Sequence, residues 1–234
     1  MNTGPRRRAD AFVLGVLVSG SGTNLQAVID AVESGRLRAK IGVVISNVAT
    51  AKALDRARAA GIETVVIDHK AHPSREAFDA AVVECLRAHG VHCVVLAGFM
   101  RLITPVLLDA FPQRVVNIHP ALLPAFPGIH AQAQALAYGV RVTGCTVHLV
   151  DAGMDTGPIL AQATVPVLEG DDEETLQTRI LVKEHELLPA VLQWLADDRV
   201  EVVPPAAGVA GARPTVRILA HGSSPPPRNI DSAR

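Results

Sequence analysis

Phe12-Val13-Leu14-Gly15-Val16-Leu17-Val18 runs directly into Ser19-Gly20-Ser21-Gly22-Thr23-Asn24. A continuous apolar run of this length reads as a strand buried on both faces, as parallel sheets require. The glycines let the backbone turn sharply, and Thr23 or Asn24 can cap a helix that ends near Gly35. Strand, glycine loop and helix in this order make the first βα unit of an α/β fold. The loop can bind an anion, because a helix N-terminus offers free N–H groups and the positive end of the dipole. Leu25 stands where a dinucleotide fingerprint has its third glycine, and no P-loop lysine is present. A terminal monophosphate therefore fits better than a pyrophosphate or triphosphate, and a nicotinamide oxidoreductase is disfavoured.

The same alternation continues outward. Ile41-Ser46, Thr64-Ile67, Val91-Ala97 and Val115-Ile118 are strand-like runs. Helical patterns lie between the early ones, over Ala51 to Ala60 and from Pro73 to Gly90. After His119 come a Pro-rich loop, a short helix around Gln132-Ala137, and the runs Gly144-Val150 and Ile159-Val167, which can pair as an antiparallel addition. A last helix spans about Glu173 to Leu195. The expected fold is Rossmann-like α/β, a mainly parallel sheet with helices on both faces. The expected organisation is one domain over 12–200, an N-terminal extension over 1–11, and a disordered tail over 204–234, where Pro, Gly, Ala and Ser dominate.

A chain of 234 residues with 49% hydrophobic but only 3% aromatic residues builds its core from Val, Leu, Ile and Ala. A net charge of -1 speaks against a nucleic-acid or anionic-membrane surface. Arg6-Arg7-Arg8 before an apolar run imitates a signal peptide, but that run enters the glycine loop instead of a cleavage site. Cys85, Cys93 and Cys145 lie in apolar contexts without a CxxC pair, as reduced thiols of a cytoplasmic protein do. His69-x-x-His72 and His89-x-x-His92 lack companion Cys or carboxylate ligands, so no metal is expected.

The chemistry concentrates in Asn117-Ile118-His119-Pro120 and in Val150-Asp151-Ala152-Gly153-Met154-Asp155-Thr156-Gly157-Pro158. Asn117 and His119, at i and i+2 on a strand, face one side. An amide can hold an oxyanion, an imidazole can move a proton, and the Asp155 carboxylate can assist it. Asp155 beside His119 is expected to raise the imidazole pKa above about 6.5. Asp before Thr-Gly is also ordinary turn chemistry, and a lone histidine is often a core residue. Leu96-Ala97-Gly98-Phe99-Met100-Arg101-Leu102-Ile103 follows a central strand, where open α/β sheets bind ligands. Met100, Leu102 and Ile103 can line a slot for a flat heterocycle, and Arg101 can pair with a carboxylate.

These blocks resemble the folate-dependent formyltransferase family, and within it the glycinamide ribonucleotide transformylases. The resemblance covers Val13 to about Asp197. It rests on Ser19-Gly20-x-Gly22-Thr23-Asn24-Leu25-Gln26, Ser46-Asn47, Ser74-Arg75, Leu96 to Arg101, Asn117-Ile118-His119-Pro120-x-Leu122-Leu123-Pro124, Gly144-x-Thr146-Val147-His148-x-Val150 and Asp155-x-Gly157-Pro158. It implies formyl transfer from 10-formyltetrahydrofolate, a co-substrate, to the amine of glycinamide ribonucleotide. By the same resemblance Asn117, His119 and Asp155 are catalytic. Gly22, Thr23 and Asn24 hold the phosphate, and Glu184 the ribose. Arg75, Met100, Arg101, Leu102, Ile103 and Asn117 take the folate. Ala121 and the stretch 128–134 depart from the family pattern, and Leu181 stands where some relatives place a polar or basic residue. The alternatives are a 10-formyltetrahydrofolate hydrolase, which carries an N-terminal regulatory domain, and a non-catalytic folate- or nucleotide-binding module. A methionyl-tRNA formyltransferase is disfavoured by the short, non-basic tail.

Overall fold

Strand β1 (Phe12–Val18) lies third in a seven-stranded sheet in a computed structural model that describes residues 11–205, 208 and 211–220. Its side chains alternate between two cores. Leu14, Val16 and Val18 face helix α1 (Thr23–Glu33), helix α2 (Lys52–Ala59) and the long helix α6 (Glu173–Ala196). Leu17 faces helices α3 (Arg75–Ala88) and α4 (Pro105–Ala110). A strand covered on both sides has no solvent face, which explains its lack of polar residues.

The remaining strands are β2 (Ala39–Ser46), β3 (Thr64–Val66), β4 (Cys93–Leu96), β5 (Val115–His119), β6 (Val142–Leu149) and β7 (Ile159–Pro166), in the order β3-β2-β1-β4-β5-β6-β7. All pairings from β3 to β5 are parallel. β6 and β7 add antiparallel, as the sequence suggested. Chain order reverses between β1 and β4, the place at the carboxyl edge where open α/β sheets form a ligand crevice. The glycine loop and the segment 97–103 flank that crevice. Helix α5 (Ala131–Tyr138) follows the Pro-rich loop.

Three details differ from the sequence reading. Gly22, at φ 72°, is the N-cap of α1, and no side chain caps that helix. Ser74, not Pro73, starts α3, its hydroxyl accepting the Ala77 N–H at 3.1 Å. The tail expected to be disordered over 204–234 contains strand β9 (Thr215–Ile218), paired antiparallel with β8 (Val200–Val203). Average composition hid it, because prolines and glycines surround four alternating residues of which Val216 packs on the core with Val200 and Val202. Residues 1–10, 206, 207, 209, 210 and 221–234 of the expected extension and tail lie outside the described residues. Among the described residues no helix is long and apolar enough to cross a membrane.

Gly22 has a packing role besides its loop conformation. A Cβ there would stand 2.6 Å from the Ala53 Cβ, at a φ that L side chains rarely adopt. Gly22→Ala should therefore destabilise the ligand-free protein by about 1–3 kcal/mol, measured as a drop in the urea midpoint. An unchanged midpoint would show that α1 and α2 can move apart freely.

Candidate active site

Asn117 and His119 stand on the same side of β5, opposite His148 and Thr146 of β6. The connection from β6 to β7 folds back over this side and brings Asp155 to it. Asp155 Oδ2 is 3.5 Å from His119 Nδ1, and Oδ1 is 3.6 Å from His148 Nε2. The backbone N–H of Gly128 donates to Oδ2 at 2.8 Å. Three of the sequence-predicted residues thus converge, and His148 joins them as a fourth. Sequence reasoning gave His148 no role. The available signal was its spacing of two from Thr146 on a strand with polar residues on one face.

Local turn chemistry sets Asp155 in place. Its φ is 53°, a left-handed conformation that Asp tolerates better than most residues. Asp151 Oδ1 braces the loop by accepting from the Gly153 N–H at 3.0 Å and the Thr156 hydroxyl at 2.7 Å. At Gly157 a Cβ would overlap the Leu149 carbonyl oxygen, so the return of the chain requires glycine. The Pro-rich loop is held from below by Thr146. Its hydroxyl donates to Ala121 O at 2.6 Å and accepts the Leu123 N–H at 3.0 Å.

Carbonyl partners assign the imidazole protons. His119 Nε2 meets Phe126 O at 2.8 Å and His148 Nδ1 meets Leu149 O at 2.9 Å. A carbonyl only accepts, so these nitrogens carry hydrogen. In the neutral His148 ring Nε2 then accepts the Asn117 Nδ2–H at 3.2 Å, which fixes the amide's orientation. His119 is 4% exposed. Burial pushes its pKa below the usual histidine value, and His148 adds to this, outweighing the Phe126 hydrogen bond and the Asp155 charge that pull it up. The expectation that Asp155 raises the net value is thus corrected: desolvation of the imidazolium is the larger effect. For Asp155 burial pushes upward, but its contact with His148, the hydrogen bond from the Gly128 N–H and the histidine charges together bring it below the ordinary carboxylate value. At neutral pH the cluster therefore holds an ionised carboxylate beside a neutral, buried His119. Cys145 is inert here, its thiol pushed up to about 12 by burial and by Glu184.

Asn24 and Glu184 form a separate pair. Asn24 Nδ2 donates to Glu184 Oε2 at 2.7 Å, tying α1 to α6, and Asn24 Oδ1 is buried without a partner. No hydrogen bond joins this pair to Asn117, His119 or Asp155 among the described residues. Arg56 Nε donates to Ser21 O at 2.9 Å, placing a cation against the glycine loop that holds Gly22 and Thr23.

In the segment 100–103, Met100 and Leu102 are 70% and 53% exposed, while Ile103 packs into the α3–α4 core. Ile103 is thus mainly a core residue, and the Arg101 guanidinium lies 5.3 Å above the Phe78 ring. Exposed Arg75 begins α3, where a cation opposes the helix dipole and so adds nothing to helix stability. The four histidines of the two HxxH patterns have other contacts. His69 Nδ1 meets Asn47 Nδ2 at 3.3 Å, and the ring of His72 packs edge-on against Phe78. His89 lies 3.2 Å from Glu63, and His92 Nδ1 accepts the Val13 N–H at 3.0 Å.

A family model described as formyl transferase matches residues 14–192. The chain is 50% identical over 188 residues to the phosphoribosylglycinamide formyltransferase of Mycobacterium tuberculosis, covering 80% of this chain and 86% of the relative. It is 48% identical over 194 residues to the trifunctional purine biosynthetic protein adenosine-3 of Drosophila pseudoobscura pseudoobscura. That match takes in 82% of this chain but spans only 14% of the relative's length. The solved structure of glycinamide ribonucleotide transformylase 1 from Symbiobacterium toebii superposes with a TM-score of 0.84 at 50% identity, over 94% of this chain and 100% of that one.

Glu184 is 4% exposed, and burial raises its pKa. A raised carboxyl pKa favours folding below the unfolded value of about 4.3, and that contribution is lost as pH rises through the folded value. Glu184→Gln keeps an oxygen for Asn24 and removes the buried charge. It should raise Tm at pH 7.5 by about 2–4 °C, with the gain shrinking towards pH 4. A lowered Tm at pH 7.5 would show that the ionised form is the better-accommodated one.

Proposed function

The chain belongs to the formyl transferase family, and we propose that it transfers the formyl group of 10-formyltetrahydrofolate to the amine of glycinamide ribonucleotide. The products are formylglycinamide ribonucleotide and tetrahydrofolate, a step of purine biosynthesis. Cytoplasmic residence belongs to the same proposal, supported by the apolar settings of Cys85, Cys93 and Cys145 and by their spacing, which forms no CxxC pair. The observation that carries the reading is the Asn117, His119, His148 and Asp155 cluster beside the crevice between β1 and β4.

The ribonucleotide phosphate sits on the glycine loop at Gly22, Thr23 and Asn24, and Glu184 meets the ribose hydroxyls. The uncapped start of α1 and the nearby Arg56 favour an anion there. The folate ring lies along Met100 to Ile103, with Arg75 and Arg101 towards its carboxylate tail. Holding both partners in one crevice supplies effective molarity, worth up to about 7–11 kcal/mol.

The amine nitrogen attacks the formyl carbon, forming a C–N bond and leaving the former carbonyl oxygen as an oxyanion. Collapse breaks the bond to folate N10, which takes a proton as the amine loses one. Asn117 Nδ2 keeps one N–H for the oxyanion while the other stays on His148. His119 Nε2–H is held by Phe126 O, so it reaches the oxyanion by exchanging that carbonyl for it. Asp155, ionised, stabilises positive charge on His119 and orients the water that relays the proton. An oxyanion donor of this kind is worth about 2.7–4 kcal/mol.

The test follows loss of 10-formyltetrahydrofolate with and without glycinamide ribonucleotide. Deformylation that requires the ribonucleotide and yields its formyl derivative is expected. Equal rates in both would make the protein a hydrolase, and no rate in either would make it a binding module. His119→Ala should slow transfer by about 10²–10³-fold, with ribonucleotide affinity nearly unchanged. Near wild-type turnover in that variant would remove His119 from the mechanism.

A further inference from the structure

Ser19 is the last residue before the glycine loop, yet its hydroxyl reaches two other loops. It donates to Asn47 Oδ1 at 2.7 Å and accepts the Met100 backbone N–H at 3.0 Å. The single hydroxyl hydrogen is spent on Asn47, so the lone pairs are held towards Met100. Asn47 is 7% exposed, and its amide nitrogen lies 3.3 Å from His69 Nδ1, which steadies it. A second link, from Ser19 N to Gly98 O at 3.1 Å, belongs to the backbone and survives any change of side chain.

The other end of the segment is tied elsewhere. Asp79 Oδ2 accepts both the N–H and the hydroxyl of Thr104 at 2.7 Å. Met100 to Ile103 is thus strung between two anchors, one on the glycine loop and one on α3. Arg101 lies over Phe78 and Ile103 packs into the α3–α4 core, so the Ser19 anchor acts chiefly on the exposed Met100 end of the segment.

We propose that Ser19 is a positioning residue through which the ribonucleotide and folate sites are thermodynamically coupled. This rests on the substrate reading above. A phosphate on the adjoining glycine loop narrows the freedom of Ser19 and so strengthens the hold that its hydroxyl already has on Met100 and the folate segment. The effect is reciprocal, so folate tightens the ribonucleotide by the same factor.

Calorimetry with tetrahydrofolate, which has no formyl group to transfer, and glycinamide ribonucleotide measures each Kd alone and with the other ligand saturating. In the wild type each ligand should tighten the other by about fivefold or more. In Ser19→Ala that factor should fall below about twofold, while either ligand alone still binds within about threefold of wild type. Ser19→Thr keeps the hydroxyl and should restore the coupling. Asp79→Asn should weaken folate alone and leave the coupling factor in place. Coupling absent from the wild type, retained in Ser19→Ala, or lost equally in Asp79→Asn would overturn the proposal. A wild-type protein that binds neither ligand would overturn the substrate reading with it.

Discussion

A carboxylate drawn largely out of water must be met by donors, and much of the site is arranged around that requirement at Asp155. Its side chain receives the Gly128 N–H and faces two buried histidines. Gly128 ties it to the Pro-rich loop, and His119 and His148 tie it to β5 and β6. The positive φ of Asp155 and the glycine at 157 are the local backbone conditions for bringing the carboxylate there. Desolvation acts on the two ionisable partners in opposite directions. It keeps His119 neutral, while hydrogen bonds and neighbouring charge keep Asp155 ionised. A proton accepted by His119 therefore arrives beside a negative charge already in place, which is the preorganisation that electrostatic catalysis relies on.

The sheet explains why the remaining elements can reach this cluster. Parallel strands β1, β4 and β5 end at one edge, so the glycine loop, the 97–103 segment and Asn117 to His119 leave the sheet on the same side. The antiparallel pairing of β5 with β6 then sets His148 directly across from Asn117. Neither arrangement depends on long-range luck. Both follow from strand direction and a side-chain period of two.

Much of this was legible in the residues. Continuous apolar strands gave away the parallel sheet, and Phe12–Val18 is one strand as read. Asn117 and His119 share a face because spacing on a strand dictates it. Other features escaped for physical reasons. Helix α4 is six residues long, too short for a periodic signal, and β9 is buried in tail-like composition. The role of His148 depends on register across two strands, and the Asn24–Glu184 pair spans 160 positions. The sign of the His119 shift could not be read from proximity to Asp155, because it is set by how completely the fold removes water.

The most direct test of the central claim is the single-turnover rate of formyl transfer in Asp155→Asn, measured beside ribonucleotide affinity. The substitution keeps an oxygen for the Gly128 N–H and removes only the charge. Transfer should slow by about 10²–10⁴-fold while ribonucleotide affinity stays within about threefold of wild type. A rate within about threefold of wild type, in a folded variant, would mean that the charge at Asp155 does not carry the chemistry.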